Sequence, residues 1–336
     1  MQKYTIAVVG AMGAVGREML KTLEQRNFPV KKIKPLDIPS NAGKKITFQE
    51  EPIAVEAAVS GAFKDVDIAL FSAGADASKV LAPTAVTEGA VVIDNSSAWR
   101  MDENVPLVIP EVNPEDLSWH KGLIANPNCS TIQMLVALKP LHDRYNIKRI
   151  VVSTYQAVSG TGQKAIVELN QQVQDYVTGQ PIKSNVYPYQ IAFNALPHID
   201  VFLENGYSKE EMKMVFETKK IMDKNISVSA TTVRIPVFRS HSESINIETE
   251  KPFKIDEVVT TLNEAPGIIV VDNLTAANYP LAIDAEGKDE VFVGRIRRDF
   301  SIDNGLNLWV VADNLRKGAA LNAIQIAETL VQKALI

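Results

Sequence analysis

The sequence is poor in the residues that build disulfides and metal clusters. Its 336 residues include one cysteine, Cys129, and four histidines. One cysteine excludes an intrachain disulfide and any multi-cysteine metal site, so no metal is expected. No apolar run reaches the ~18 residues that a membrane helix needs, which argues against a membrane partner. Positive charge is not in excess: 35 basic residues face 40 acidic ones, a formal net charge of −5. That balance argues against nucleic acid or an anionic membrane surface as the main partner. Internal repeats and low-complexity segments are lacking too. The chain opens on a strand-like run with no secretory n-region or cleavage site, so a cytoplasmic location is expected. What is present is globular in kind, 46% hydrophobic and 22% charged, in a chain too long for one ordinary core. Two domains are therefore expected.

The first half alternates strand and helix. Tyr4-Thr5-Ile6-Ala7-Val8-Val9 is a continuous β-branched and apolar run of the kind that forms a buried parallel strand. It enters Gly10-Ala11-Met12-Gly13-Ala14-Val15-Gly16, and a helical pattern follows with Met19, Leu20 and Leu23 on one face. Glycine-rich turns are common. One placed between a first strand and a first helix points to a dinucleotide, because it lets the backbone approach a pyrophosphate and the helix pack on the strand. A second strand, Ile33 to Leu36, ends at Asp37. An acid there would bond a ribose 2′-OH and repel a 2′-phosphate, favouring NAD. The competing reading is a turn aspartate in the polar stretch 37–43, and Lys44 and Lys45 would offset the repulsion.

Val66 to Phe71 and Ala90 to Asp94 are further strands, separated by a helix from about Ala77 to Glu88 that Pro83 would enter early or kink. The polar exit of the later strand, Asn95 to Ala98 and then Trp99, ends in Arg100. That guanidinium would hold a phosphate or carboxylate, or pair at the surface with Asp102 or Glu103. Val105 to Val112 is expected to be extended, with breaks at Pro106 and Pro110. Leu123-Ile124-Ala125 then leads through Asn126-Pro127-Asn128 to Cys129 and an amphipathic run. Strand, turn and helix in that order would place the thiol at a helix start, where N–H groups and the dipole favour a thiolate nucleophile. The plain alternative is a buried structural cysteine.

The second half is richer in strands. Arg149 to Tyr155 is a strand whose exit, Gln156 to Gly162, precedes a helix from about Lys164 to Val177. Gln156 would orient a substrate carbonyl and Ser159-Gly160 would approach a nicotinamide, or these are plain turn residues. Residues 179–200 read as loop. A helix from Ser208 to Met222 starts with a capping box, Ser208 and Glu211. Glu217 and Lys220 lie one turn apart on it, by default a solvated ion pair. Ile226 to Pro236 alternates and carries Arg234, and Ile245 to Thr249 reads as a half-exposed antiparallel strand with His241 at its edge. Among the histidines (120, 142, 198 and 241), His241 sits best for a proton shuttle, although a structural role stays open for each. Further strands, 291–297 and 305–311, imply a large sheet with helices on one face and a second subunit on the other. An amphipathic helix, Lys317 to Ala334, is expected to return to the first domain.

Taken together, these segments resemble the aspartate-β-semialdehyde dehydrogenase family over nearly the whole length. The resemblance rests on the Gly10–Gly16 turn, Asp94–Ser97 with Arg100, Asn126–Thr131, Ser153–Gly160, Glu217–Lys220, Val233–Pro236 with His241–Ser244, and Asp313–Leu315. It implies an α/β chain: a Rossmann-like doubly wound dinucleotide-binding domain over 1–128, with a C-terminal helix (about 315–336) packed back on it. An α+β mixed-sheet catalytic and dimerisation domain would cover 129–314. It implies reduction of L-aspartyl-4-phosphate to the semialdehyde through a thioester on Cys129, in lysine (diaminopimelate), methionine and threonine biosynthesis. His241 would be the acid/base and Gln156 would orient substrate. Arg234 and Glu217 would hold the amino-acid end, and Arg100 and Lys220 the phosphate. Gly10, Met12, Gly13, Ala14, Val15, Gly16, Ser40, Asn41, Ser159, Gly160 and Asn314 would contact the cofactor. The implied partners are the small-molecule substrate, inorganic phosphate and a second copy of the chain, as a homodimer or dimer of dimers. The implied cofactor is NADP. The family typically places an Arg and serines before Ala42-Gly43-Lys44; this chain has Asp37-Ile38-Pro39-Ser40-Asn41, which leans toward NAD. The family's usual Thr is Met12 here. The competing activities are another acyl-phosphate reductase and a catalytically silent dinucleotide-binding paralogue.

Overall fold

The computed structural model describes residues 2–336. The chain forms two compact units, one running through Asn128 together with Ala319–Ile336, the other Cys129–Gly318.

The first unit is a doubly wound sheet. Its elements are β1 (Tyr4–Val9), α1 (Ala14–Gln25), β2 (Val30–Asp37), a hairpin of β3 (Lys45–Phe48) and β4 (Glu51–Ala54), β5 (Glu56–Ala57), β6 (Ile68–Phe71), α2 (Ala75–Thr87), β7 (Val91–Asp94) and β8 (Leu123–Ala125). Six of the strands form one sheet in the order β5-β2-β1-β6-β7-β8, and every pairing in it is parallel. The continuous apolar strands follow from burial on both faces. Ile6, Val8, Ile68 and Leu70 join a core with Met19, Leu20 and Leu23 of α1 and Ile324 and Leu330 of the terminal helix Leu321–Gln332. The alternate residues Ala7, Val9, Ala69 and Phe71 turn to the other face and pack with Phe63, Ala82 and Ala85. Arg26 anchors the terminal helix by donating to both carboxylate oxygens of Glu328, at 2.7 and 2.8 Å.

Three expectations need correction here. Val105 to Val112 forms no strand beyond one bridge, Leu107 to Ala125. Prolines 106 and 110 have no N–H to donate. The Asn113 side chain instead serves the segment, accepting from Ile109 N–H and donating to Leu107 C=O. Helix α2 starts at Ala75, so Pro83 lies in its interior. The terminal helix starts at Leu321, after a π-turn over Arg316–Ala320.

The second unit contains α3 (Cys129–Tyr145), β9 (Ile147–Gln156), α4 (Gln163–Val177), α5 (Lys209–Ile221), β10 (Ser227–Arg234), β11 (His241–Thr249), α6 (Ile255–Glu264), β12 (Ile268–Val270), α7 (Ala282–Ala285), β13 (Val291–Asp299) and β14 (Gly305–Ala312). Its sheet runs β10-β9-β11-β14-β13-β12. It is mixed, with β10–β9 and β12–β13 parallel and the central pairs antiparallel. Helices α3, α5 and α6 pack on its strands. On β11 the isoleucines 245 and 247 are buried, while Ser244, Asn246 and Glu248 reach solvent to differing degrees, as the alternation predicts. The strand starts earlier than expected, at His241, and runs between β9 and β14. His241 is thus fully buried in a central strand rather than at an edge.

Candidate active site and dinucleotide cavity

In the first unit the glycine turn is shaped by close backbone approach. Gly10 has φ +81°, and a Cβ on it would lie 2.4 Å from Ser72 O. A Cβ on Gly16 would lie 2.2 Å from Gly10 O. Only glycine fits either place. Gly13 caps α1, and Ala14, Val15 and Gly16 form its first turn. Beside the turn lies a cavity of about 560 Å³ whose walls include Gly10, Met12, Gly13, Asp37, Asn41 and Ser72. Ser40 belongs to the exposed 3₁₀ turn Pro39–Asn41 and is not part of those walls.

Arg100 is buried rather than at the surface. Its Nε donates to Asn126 O at 3.0 Å and its Nη2 to Asn95 O at 2.7 Å. Asp94, at the end of β7, is buried and accepts from the Ser96 hydroxyl at 2.5 Å and the Ser96 N–H at 3.1 Å. Burial pushes its carboxyl pKa up, opposed by the Ser96 bonds.

In the second unit the sheet delivers several polar side chains to one end. The register pairs Arg234, last in β10, with Gln156, last in β9. Gln156 Nε2 donates toward Ser130 Oγ (2.9 Å), Thr154 Oγ1 (3.2 Å) and Glu210 Oε1 (3.4 Å). Cys129, half-buried, is the first residue of α3, directly before Ser130. Arg234 Nη1 donates to Ala157 O at 2.6 Å. The Ala157 N–H donates to His241 Nδ1 at 3.0 Å. Nδ1 is then the acceptor, and a neutral imidazole there carries its proton on Nε2. Among the described residues Nε2 has no hydrogen-bond partner. Burial, then the Arg234 charge, lowers the His241 pKa to about 3, against an opposing pull from Glu210. Gly160 lies against this pair: a Cβ on it would be 2.8 Å from Arg234 Nη1 and 3.4 Å from His241 Nε2. Ser159 and Asn314 bond each other, with Asn314 Nδ2 donating to Ser159 Oγ at 2.9 Å, and Asn314 Oδ1 accepts from Ser240 N–H.

Glu217 is 1% exposed and Lys220 half-buried, so they are not the solvated surface pair of the default reading. The capping box at Ser208 and Glu211 forms as expected, which fixes the start of α5. The other histidines make structural contacts. His120 Nδ1 accepts from Gly122 N–H, His142 Nδ1 from Ile147 N–H, and His198 stacks on Phe202 at 4.3 Å.

Three further residues, Glu210, Gln133 and Gly318, carry no functional signal in the local sequence pattern but adjoin these groups in the fold. Glu210 is one heptad before Glu217 on the same helix. Gln133 is one turn after Cys129, and its Nε2 donates to His241 O at 3.4 Å. Gly318 lies in the π-turn, where a Cβ would come within 2.8 Å of Cys129 Cβ. Glu243, quoted only as part of a motif, is fully buried, and neither carboxyl oxygen has a hydrogen-bond partner among the described residues. Burial raises its pKa well above 4.5.

The thiol at a helix start, the imidazole and the dinucleotide cavity are the parts of a nicotinamide-dependent aldehyde oxidoreductase. Comparison agrees at the level of domains. The model of the semialdehyde dehydrogenase NAD binding domain matches residues 5–120, and that of the dimerisation domain matches 138–317. An aspartate-semialdehyde dehydrogenase of Aquifex aeolicus is 59% identical, with 99% of each chain covered. The crystal structure of aspartate semialdehyde dehydrogenase II from Vibrio cholerae, complexed with ASA, is 48% identical with a TM-score of 0.96 over 99% of each chain. The Candida albicans enzyme, solved with NADP, is 26% identical with a TM-score of 0.78 over 100% of each chain. The chain belongs to the aspartate-semialdehyde dehydrogenase family. It is an oxidoreductase that uses a nicotinamide dinucleotide, and it contains that family's dimerisation domain. Among the described residues no helix is long and apolar enough to cross a membrane.

Proposed function

We propose that this chain catalyses the reductive dephosphorylation of L-aspartyl-4-phosphate to L-aspartate 4-semialdehyde. The reaction belongs to the biosynthesis of lysine, methionine and threonine, and we assign it to the cytoplasm. The observation that carries the chemistry is Cys129 at the first residue of α3, next to the Ser130 hydroxyl that Gln156 holds.

The Cys129 thiolate, favoured by the N–H groups at the helix start, attacks the acyl-phosphate carbonyl. The carbon–oxygen bond to phosphate breaks, and inorganic phosphate leaves with the bonding pair. Arg100 and Lys220 are the proposed cations for that anion. The reduced dinucleotide, when bound, supplies the hydride that the thioester carbonyl carbon accepts. The resulting oxyanion takes a hydrogen bond from the Nε2–H of His241, whose tautomer is set by the Ala157 N–H on Nδ1. Collapse of the oxyanion expels the thiolate and releases the aldehyde. In the reverse direction the same Nε2–H stabilises the oxyanion formed as the thiolate adds to the aldehyde. We assign the substrate's carboxylate to Arg234 and its amine to Glu217, with Gln156 orienting the acyl group.

The Gly10–Gly16 turn is proposed to hold the pyrophosphate, and Ser159, Gly160 and Asn314 to contact the nicotinamide. Family resemblance implies NADP. The two dinucleotides differ only at the adenosine 2′ position, which the residues at the end of β2 would meet. We further propose a homodimer, with a dimer of dimers as the larger assembly. The aromatic pair Tyr155–Trp309, rings 5.6 Å apart on half-exposed sheet positions, is suited to the partner face.

The test is phosphate-dependent reduction of the oxidised dinucleotide with aspartate semialdehyde. Cys129→Ala should lose turnover by at least about a thousandfold while retaining dinucleotide affinity. Intact turnover in that variant would remove the thioester.

A further inference from the structure

We propose that the first unit selects NAD over NADP and that Asp37 is the selecting residue. The proposal rests on the cavity beside the glycine turn being the dinucleotide's.

Asp37 is the last residue of β2, and the end of that strand is stitched to the turn. Gly10 N–H and Ala11 N–H both donate to Leu36 O, at 2.8 and 3.1 Å. The Asp37 carboxylate continues the seam. Its Oδ2 accepts from Met12 N–H at 2.8 Å, and its Oδ1 accepts from Ile38 N–H and Asn41 Nδ2, both at 2.8 Å. Three donors hold the group rigid, and it is 7% exposed. A carboxylate offers about four acceptor sites, so three bonds leave about one, on Oδ2. Asp37 is also one of the residues that line the cavity. In the proposed arrangement the remaining acceptor takes a hydroxyl donor, as a ribose 2′-OH is, and the charge repels a phosphate dianion.

The rest of the wall offers a 2′-phosphate no compensation. Besides Asp37 it is built of glycines, Met12, Ile38, Pro39, Asn41, Ser72 and apolar residues, with no lysine or arginine among them. Lys45 lies outside the wall at the start of β3, and Lys44 and Arg17 are both engaged with neutral oxygens. Lys44 Nζ donates to Asn41 Oδ1 at 2.7 Å, and Arg17 Nε to Met12 O at 3.1 Å. A phosphate at this place would give up hydration beside Ile38 and Pro39 and face a fixed negative charge. Unfavourable like-charge contact of that kind typically costs on the order of a hundredfold in affinity or more.

The bland alternative is an aspartate that only braces the turn. It predicts no discrimination between the dinucleotides. The experiment measures Kd for NADH and NADPH by the fluorescence of the bound nicotinamide, with kcat/KM for NAD and NADP alongside. We expect NADH to bind about a hundredfold tighter, and 2′-deoxy-NADH about tenfold weaker than NADH, for loss of one charge-assisted hydrogen bond. Equal binding of NADH and NADPH, or preference for NADPH, overturns the proposal. Unchanged binding of the 2′-deoxy compound does the same. Failure of both dinucleotides to bind would instead strike the reading of the cavity itself. Because Asp37 also braces the turn, its own replacement risks misfolding. Ser40→Arg, at an exposed position, is the safer variant. With an unchanged Tm it should narrow the preference at least tenfold, and no narrowing counts against the proposal.

Discussion

Replacing one glycine should disable the thiol without touching it. Gly318 sits in the π-turn Arg316–Ala320, held by its own N–H to Asp313 O at 3.2 Å. A methyl group there would approach Cys129 Cβ at 2.8 Å, Cys129 Cα at 3.3 Å and Asn314 Cβ at 3.6 Å. The first distance is shorter than real carbon contacts allow, and neither Cys129 atom is the far end of a flexible chain. Cys129 Cα belongs to the backbone at the start of α3, so relief requires the helix start or the turn to shift by several tenths of an ångström. Overpacking of this kind costs about 1–3 kcal/mol of stability. The larger effect falls on rate, because misplacing a reacting group by about 1 Å costs about a hundredfold. Gly318→Ala should therefore lower kcat by one to two orders of magnitude while lowering Tm by only a few degrees. Alkylation by iodoacetamide should stay within a few-fold of the parent, since that small reagent imposes no fixed geometry on the thiol. A variant with kcat within threefold of the parent and an unchanged Tm would refute the steric argument.

Two buried groups give opposite pH signatures. His241 has its folded pKa lowered from 6.5 to about 3, so its contribution to stability is present above 6.5 and is lost as pH falls toward 3. Neutral between about pH 5 and 8, it should give kcat/KM no imidazole limb in that range, and His241→Asn, which keeps a donor, should outperform His241→Ala. A limb near 6.5 in the parent that vanishes in the Asn variant would overturn the donor assignment. Glu243 has its folded pKa raised above 4.5, so its contribution is full below 4.5 and is lost as pH rises. Glu243→Gln should gain stability relative to the parent by up to about 1.4 kcal/mol per pH unit above that point. Urea unfolding at two pH values measures it. An identical difference at pH 5 and pH 8 would mean that the carboxyl is ionised in the folded protein.

How much of this was legible depended on the range of the interaction. Strands β1, β6 and β7 announced themselves because burial on both faces demands unbroken apolar runs. The Ser208 cap was legible because its partners, the side chain and N–H of Glu211, are three residues away. The hairpin β3–β4 was missed, being four residues a side with Pro52 on one strand. Val105 to Val112 has strand-like composition, but the Asn113 side chain takes the bonds a neighbouring strand would have made. Glu217 and Lys220 show the same limit on a helix. Their spacing fixes that they share a face, yet nothing local tells whether that face meets water or a sheet.

The candidate site is where local reading runs short, since its contacts join residues far apart in the chain. Cys129 stands out in sequence by rarity and by its place before an amphipathic run. Its neighbour Gly318 looks like a flaw in a helix, and only the fold shows the missing side chain as the space the thiol's own Cβ requires. Nothing local settles a role for His241 among the four histidines; the Ala157 N–H, 84 positions away, is what fixes which of its ring nitrogens holds the proton. Asp37 is the intermediate case. Its position after β2 was visible, and two functions for it competed, a brace for a turn and a selector of ribose. The three N–H donors on its carboxylate make the two compatible: the bonds that brace the turn also hold in place the charge on which the proposed selection would act.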